Sequence, residues 1–216
     1  DRVYLLADDI FDEMVSRNVG EYRYPLGGKL YVFNKNENIG FIKGHMCSPA
    51  IATQAEDLIA GGVKELIHVG YAGGLQPELV PGEIILTDGA FNDTAVARLY
   101  GYDYDIIHSS KDLTNEIESM ITSAEIPYKR GIHWTTDAGY RETWGQVMDY
   151  RDKGALCVEM EGVGLFTIAN YRKCVATGIY VVSDVYSEND WKLGWEGNDI
   201  KRAVGAVIDM IIESIR

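Results

Sequence analysis

The chain has 216 residues, of which 46% are hydrophobic and 25% charged, and its formal net charge is −13. This composition is typical of one globular domain and excludes a disordered chain. The negative charge argues against nucleic acid or a membrane surface as a partner, because both attract basic proteins. No stretch has the apolar length of a membrane span, and the three cysteines show no pairing or metal spacing, so we expect a cytoplasmic protein.

Buried strands and amphipathic helices alternate along the chain, which predicts an α/β fold over residues 1–216 with a mixed sheet covered on both sides. The predicted strands are residues 3–6, 29–33, 39–42, 66–69, 82–87, 131–135, 154–158 and 179–184. The predicted helices are residues 8–19, 49–60, 113–124, 143–151, 163–171 and 200–215. A glycine-rich turn, residues 70–74, is expected to follow the fourth strand.

Two carboxylates flank a methionine where the strand ending at Val158 meets a helix, in the segment Glu159-Met160-Glu161. A carboxylate can accept hydrogen bonds from both hydroxyls of a sugar diol, and a thioether can lie against the apolar face of the sugar. A second buried strand ends in Ser183-Asp184. Because ligands of open α/β sheets bind at the carboxyl ends of strands, both acids are expected at one crevice.

Three segments, in this order and spacing, resemble the nucleoside phosphorylase-I superfamily, which includes purine nucleoside and uridine phosphorylases and the hydrolytic methylthioadenosine nucleosidases. They are residues 69–85, beginning Val-Gly-Tyr-Ala-Gly-Gly, residues 158–162, Val-Glu-Met-Glu-Gly, and residues 181–184, Val-Val-Ser-Asp. The resemblance implies a single-domain, three-layer α/β/α sandwich. It further implies a homo-oligomer, either a dimer or a hexamer of dimers, that cleaves the N-glycosidic bond of a nucleoside.

The resemblance also implies roles for individual residues. Asp184 would protonate, or hydrogen-bond to, a purine N7, while Met160 and Glu161 would hold the ribose. Glu159 would sit near the base or support the site, and Ala72 and Gly73 would face the ligand. The expected product is a pentose 1-phosphate, with inorganic phosphate as co-substrate, no other cofactor and no metal.

The segments that bind phosphate in typical phosphorylases differ in this chain. The first loop, residues 6–11, carries two acids and no arginine, His68 replaces an arginine, and Tyr71 stands at a hydroxyl position. Acids repel phosphate, so an anion would bind instead at the helix start at Pro49 through backbone N–H groups, with His45, Lys43 or His68 as partners. Asp12 lies where the hydrolytic branch has an acid that activates water, so hydrolysis is the alternative reaction; Asp12 can equally be a solvated surface acid.

The base pocket also departs from the family pattern, because Gly139 stands where a phenylalanine is usual. Tyr140 could stack on the base instead, and Arg141 could bind a carbonyl of a pyrimidine. The alternative for Arg141 is a surface pair with Glu142. Purine and pyrimidine substrates therefore stay open, and a nucleoside-binding or storage protein without turnover is the rival of another class.

Overall fold

The computed structural model describes residues 1–24, 27–187, 190–194 and 197–215. The strands are β1 (Arg2–Leu6), β2 (Gly20–Tyr24), β3 (Leu30–Phe33), β4 (Asn36–Lys43), β5 (Glu65–Gly74), β6 (Ile84–Asp93), β7 (Ile106–His108), β8 (Tyr128–Thr136), β9 (Cys157–Glu159), β10 (Val175–Ser187) and β11 (Asp190–Leu193). The helices are α1 (Asp8–Ser16), α2 (Ser48–Ala60), α3 (Ala95–Leu99), α4 (Lys111–Ser123), α5 (Trp144–Asp152), α6 (Gly162–Arg172) and α7 (Asn198–Ser214).

All these strands belong to one mixed sheet with the order β11-β10-β6-β8-β9-β5-β1-β4-β3-β2, in which β7 pairs with β6. Strand β10 also pairs with β5, so β5, β10, β6, β8 and β9 close into a ring of five strands. Strands β1, β4, β5 and β10 run in parallel, whereas β9 is antiparallel to β5. The ring gathers the ends of β5, β9 and β10 at one place.

Helices cover both faces of the sheet, and each face has its own apolar core. One core contains residues of α1, α4 and α7, among them Ile10, Ile117 and Ile208. The other contains residues of α2, α3 and α6, among them Leu58, Ala97 and Phe166. This arrangement confirms the predicted three-layer α/β/α sandwich. In the part of the chain that the structure describes, no helix has the length and apolarity that crossing a bilayer requires.

The predicted glycine turn at residues 70–74 is wrong, because these residues continue strand β5 to Gly74. Their backbone pairs with β10 on one side and with β9 on the other, where Gly73 faces Val158. Strands β2, β7 and β11 and helix α3 were not expected from the sequence. They are short, and a short element gives little periodic signal.

Helices α2 and α6 approach each other at Gly164, and this contact positions the residues before both helices. A Cβ at Gly164 would lie 2.5 Å from the backbone oxygen of Ser48 and 2.8 Å from its Cα. Ser48 in turn donates its hydroxyl to the backbone oxygen of Met160, at 3.0 Å. Because these neighbours are backbone atoms, a larger residue at position 164 must push the two helices apart.

We therefore expect Gly164→Ala to lower the free energy of unfolding by about 2 kcal/mol, the typical effect of overpacking a close contact. Gly205→Ala is the matched control, because a Cβ at Gly205 of α7 would meet nothing within 4 Å. The control should be neutral or stabilise the fold by roughly 0.5–1 kcal/mol through helix propensity. Urea titration of both variants measures the difference, and equal stability of the two would contradict the close contact.

Candidate functional site

A buried carboxylate, that of Glu159, organises the end of β9. Its Oε1 accepts a hydrogen bond from the hydroxyl of Thr135 at 2.5 Å and lies 2.9 Å from Nε2 of His133. Its Oε2 accepts from the backbone N–H groups of Glu161 and Gly162, both at 2.8 Å. Burial raises the pKa of Glu159, but the charge and hydrogen bond of His133 outweigh burial, and the net shift is downward. Glu159 is therefore an ionised cap of α6 that supports the site.

Glu161 is the second carboxylate of the segment, and it is turned toward α2. Its Oε1 accepts a hydrogen bond from the backbone N–H of Cys47 at 2.6 Å, and its Oε2 accepts one from that of Met160 at 3.4 Å. Burial, and then the negative charge of Glu159, raise the pKa of Glu161 above its ordinary value. Glu161 and Met160 are each partly exposed, whereas Glu159 is buried, so Glu161 is the acid that can reach a ligand.

His68 lies beside these two acids in the interior. Its side chain is buried, and its Nδ1 has no hydrogen-bond partner within the described residues. Burial chiefly lowers the pKa of His68 to about 4, so the imidazole is neutral at physiological pH. A neutral histidine supplies no fixed positive charge for phosphate. The expected role of His68 at an anion site stays a prediction, and it would have to act as a hydrogen-bonding group.

One ligating atom from each of His68, Glu159 and Glu161 lies within 4.8 Å of the others, a spacing that a metal ion can bridge. No metal-ligand spacing is visible in the sequence, because the three residues come from β5 and from the two sides of Met160. Both oxygens of Glu159 already accept two hydrogen bonds each. We therefore read this cluster as a hydrogen-bonded support for α6.

Asp184 reaches the site through an irregularity in β10. The pairing of β10 with β5 shifts register between Val182 and Asp184, so that Asp184 faces Gly73. Such a bulge re-aims the side chains that follow it. A Cβ at Gly73 would lie 3.2 Å from Oδ2 of Asp184, which shows how closely the acid approaches this backbone. Ser183 donates its hydroxyl to Oδ1 of Asp184 at 2.5 Å, and Asp184 itself is buried.

Two further groups lie next to Asp184 and were not predicted to belong to the site. Tyr186 donates its hydroxyl to Oε2 of Glu142 at 2.6 Å, and its ring edge would be 3.1 Å from a Cβ at Gly73. The expected surface pair of Glu142 with Arg141 is wrong, because Glu142 is partly buried and bonds to Tyr186. In the sequence, the signal for Glu142 is that this acid closely follows the atypical Gly139.

The residues predicted to form a phosphate or water site have different surroundings in the structure. Tyr71 donates its hydroxyl to Oδ2 of Asp9 at 2.7 Å, and Lys43 pairs with Asp8 at 2.7 Å. Asp12 is exposed on α1, so Asp9, and not Asp12, is the acid that reaches Tyr71. The side chain of His45 is also exposed. The structure thus brings acids to this end of β1, and the anion and water roles stay predictions.

The remaining predicted ligand contacts have mixed placements. Tyr140 is fully exposed, in the 3-10 turn Gly139–Arg141, and Arg141 is exposed beside it. The methyl group of Ala72 packs in a buried cluster, and its carbonyl accepts the hydroxyl of Ser183 at 3.3 Å. Gly73 alone of the β5 residues predicted to face a ligand adjoins Asp184. Stacking by Tyr140 and readout by Arg141 stay predictions.

A groove of about 910 Å³ lies outside this cluster, between the start of α7 and the strand residues near Pro81 and Tyr128. Its charged residues include Lys129 and Glu83, which pair with each other at 3.5 Å. None of the predicted site residues lines it. We place the site at the buried carboxylates because catalysis requires convergent polar groups and not volume alone.

Cys47, the residue that donates its N–H to Glu161, has an unusual backbone conformation, with φ 71° and ψ 150°. This region of backbone space is essentially restricted to glycine, and a side chain there stores about 1–3 kcal/mol of strain. This backbone conformation directs the N–H of Cys47 toward the carboxylate of Glu161, to which it donates the 2.6 Å hydrogen bond.

We expect Cys47→Gly to be more stable than Cys47→Ala by about 1 kcal/mol, because alanine keeps the Cβ that causes the strain. Comparing these two variants removes the thiol from both, so the difference reports the backbone alone. Thermal and urea denaturation measure it. Equal stability of the two variants, or a more stable alanine variant, would show that position 47 is not strained.

The chain is similar to known proteins over most of its length. The phosphorylase superfamily profile matches residues 6–213. A DeoD-type purine nucleoside phosphorylase of Exiguobacterium sibiricum is 29% identical over 186 residues, 85% of this chain and 77% of that protein. One from Caldanaerobacter subterraneus is also 29% identical over 186 residues, 85% of this chain and 78% of that protein. One from another Exiguobacterium is 31% identical over 139 residues, 63% of this chain and 58% of that protein.

The matched residues include the glycine segment of β5 and the segments around Glu161 and Asp184. The match to the superfamily confirms the resemblance that the three sequence segments predicted. It also confirms the enzyme class at the level of a nucleoside phosphorylase-like pentosyltransferase. This chain belongs to the phosphorylase superfamily.

Proposed function

We propose that the protein cleaves the N-glycosidic bond of a purine nucleoside, releasing the base and transferring the pentosyl group to phosphate. The observation that carries this proposal is the pair of acids Glu161 and Asp184, each held by a hydrogen bond from another group. Glu161 follows β9 and Asp184 lies in β10, the two strands that pair with Gly73 of β5. The relatives named as purine nucleoside phosphorylases support the choice of a purine.

Glu161 is suited to bind the ribose. Its two oxygens are held by the N–H groups of Cys47 and Met160, which fix the carboxylate in one orientation. Each oxygen keeps a lone pair for a sugar hydroxyl, so a diol can be bound by both. The thioether of Met160 is adjacent and can lie against the sugar.

Asp184 is suited to act on the base. Loss of a purine anion is slow unless its N7 is protonated or strongly hydrogen-bonded as the bond breaks. An acid placed there by Ser183 and by the register shift in β10 supplies this interaction, and general acid catalysis typically contributes about 10²–10⁴-fold in rate.

Water is the second candidate acceptor, and one observation favours it. Asp9 lies hydrogen-bonded to Tyr71, so the first loop presents a carboxylate where an anion would have to approach. A carboxylate repels phosphate but can act as a base for water. Phosphate would instead need backbone N–H groups at the start of α2, with Lys43 or His45 as the cation.

The protein is further proposed to act as a homo-oligomer, a dimer or a hexamer, in the cytosol. Two large apolar side chains next to the site are strongly exposed in the single chain, Met46 at 73% and Tyr140 at 108% of their full areas. A second copy of the chain would cover them. All three cysteines are free, which fits a reducing compartment. Light scattering during gel filtration tests the assembly, and a monomer at micromolar concentration would refute it.

Base release from a panel of nucleosides, each with and without phosphate, tests the reaction. We expect free purine base and pentose 1-phosphate only when phosphate is present. Base released equally without phosphate would establish the hydrolytic reaction. Tight nucleoside binding with no base released over hours would replace the enzyme by a binding protein.

Asp184→Asn should lower kcat by about 10²–10⁴-fold with little change in the melting temperature, because the amide keeps the shape but cannot donate a proton. Asp209→Asn is the matched control, since Asp209 only pairs with Arg17 on the surface. Progress curves on the best substrate from the panel give both values. Full activity of the Asp184 variant would remove this residue from the reaction.

A further inference from the structure

We propose that Glu142 determines which purine the site accepts, by selecting bases with an amino group at position 6 over bases with a carbonyl there. This inference rests on the proposed function, because it assumes that the base lies next to Asp184. Glu142 is the residue that the sequence placed on the surface and that the structure places beside that acid.

The position of Glu142 is set by its contact with β10. Glu142 follows the 3-10 turn Gly139–Arg141 and is tied to β10 through the hydroxyl of Tyr186, at 2.6 Å. The place that a Cβ of Gly73 would take is 3.1 Å from the Tyr186 ring and 3.2 Å from Oδ2 of Asp184. Tyr186 therefore bridges the two acids around Gly73, so one wall of the base site carries two carboxylates.

Gly139 leaves a space open on the side of the site that leads to the sugar. A Cβ at Gly139 would lie 3.5 Å from Oε1 of Glu142 and 3.7 Å from the sulfur of Met160, with no other heavy atom within 4 Å among those described. Because Gly139 has no side chain, the Glu142 carboxylate and the Met160 thioether share this space. Glu142 thus faces the space beside Met160 that Gly139 leaves open.

The charge and hydrogen bonds of Glu142 make it an acceptor for a ligand. Within the described residues, Glu142 has no ion pair with a lysine or an arginine. The hydrogen of the Tyr186 hydroxyl is donated to Oε2 of Glu142, and the carboxylate of Glu142 keeps further lone pairs that can accept from a ligand. Arg151, close to Tyr186, donates instead to the carbonyl oxygens of Leu75 and Tyr186. Burial raises the pKa of Glu142, the hydrogen bond from Tyr186 lowers it, and the charge of Asp184 raises it further.

A 6-aminopurine matches this wall. Its N7 accepts a hydrogen bond and its neighbouring amino group donates one, so Asp184 can serve N7 while Glu142 accepts from the amine. A 6-oxopurine would turn a carbonyl oxygen toward the Glu142 carboxylate, and two acceptors facing each other repel. Discrimination of this kind comes as much from the unfavourable contact with the wrong base as from the bond to the right one.

Glu142→Gln tests the proposal with adenosine and inosine as the substrate pair. The wild type should have the higher kcat/KM for adenosine, and the variant should lower the adenosine-to-inosine ratio at least tenfold. Glutamine keeps the shape and an acceptor for Tyr186, so the melting temperature should change little. Glu118→Gln is the matched control, because Glu118 accepts the hydroxyl of Tyr128 at 2.8 Å on α4, away from the acids of the site. Its ratio should equal that of the wild type.

A wild type that prefers inosine, or a Glu142→Gln ratio within twofold of the wild-type ratio, would overturn the proposal. If the wild type cleaves neither nucleoside, the proposed function fails, and the pocket is then tested by calorimetry with free adenine and hypoxanthine. Tighter adenine binding that is lost in Glu142→Gln would uphold the role of Glu142 without catalysis. Equal binding of the two bases by the wild type would overturn it.

Discussion

The contacts of one buried carboxylate hold the candidate site together. Glu159 receives hydrogen bonds from β8 through Thr135 and from the first backbone N–H groups of α6, and it lies against His133. A buried carboxylate is stable only when its oxygens are satisfied in this way. The turn between β9 and α6 is consequently fixed, and Met160 and Glu161, which lie in that turn, can project only toward α2 and the crevice.

The base side of the site depends on close backbone approach instead. Gly73 lets Asp184 and Tyr186 pack against β5, where any side chain would displace them. The register shift in β10 brings Asp184 to this position, and the closure of the five-strand ring brings β9 to the other edge of β5. The sugar and base groups are therefore aligned by the strand pairing of the sheet.

Local pattern predicted a large part of this arrangement and failed where long-range pairing decides. Apolar periodicity identified the longer strands and helices. The rule that sheets bind ligands at strand ends drew attention to Glu161 and Asp184, although β10 continues past Asp184 to Ser187. Residues 70–74 looked like a turn because glycine is common in turns, yet their hydrogen-bond partners lie in β9 and β10, over eighty residues away. Glu142 looked like a surface acid because its partner, Tyr186, is distant in sequence.

The half of the site assigned to the nucleoside and the half near the expected acceptor are built from different kinds of residue. The acids assigned to the nucleoside are largely buried and bonded to backbone or hydroxyl groups, so their positions follow from the fold. The groups near the expected acceptor are Asp8, Asp9, Lys43 and His45, which are exposed at the ends of β1 and β4. Exposed side chains can change without disturbing the core, so the acceptor can differ between relatives that share the same nucleoside half. The Asp9–Tyr71 hydrogen bond belongs to this exposed half.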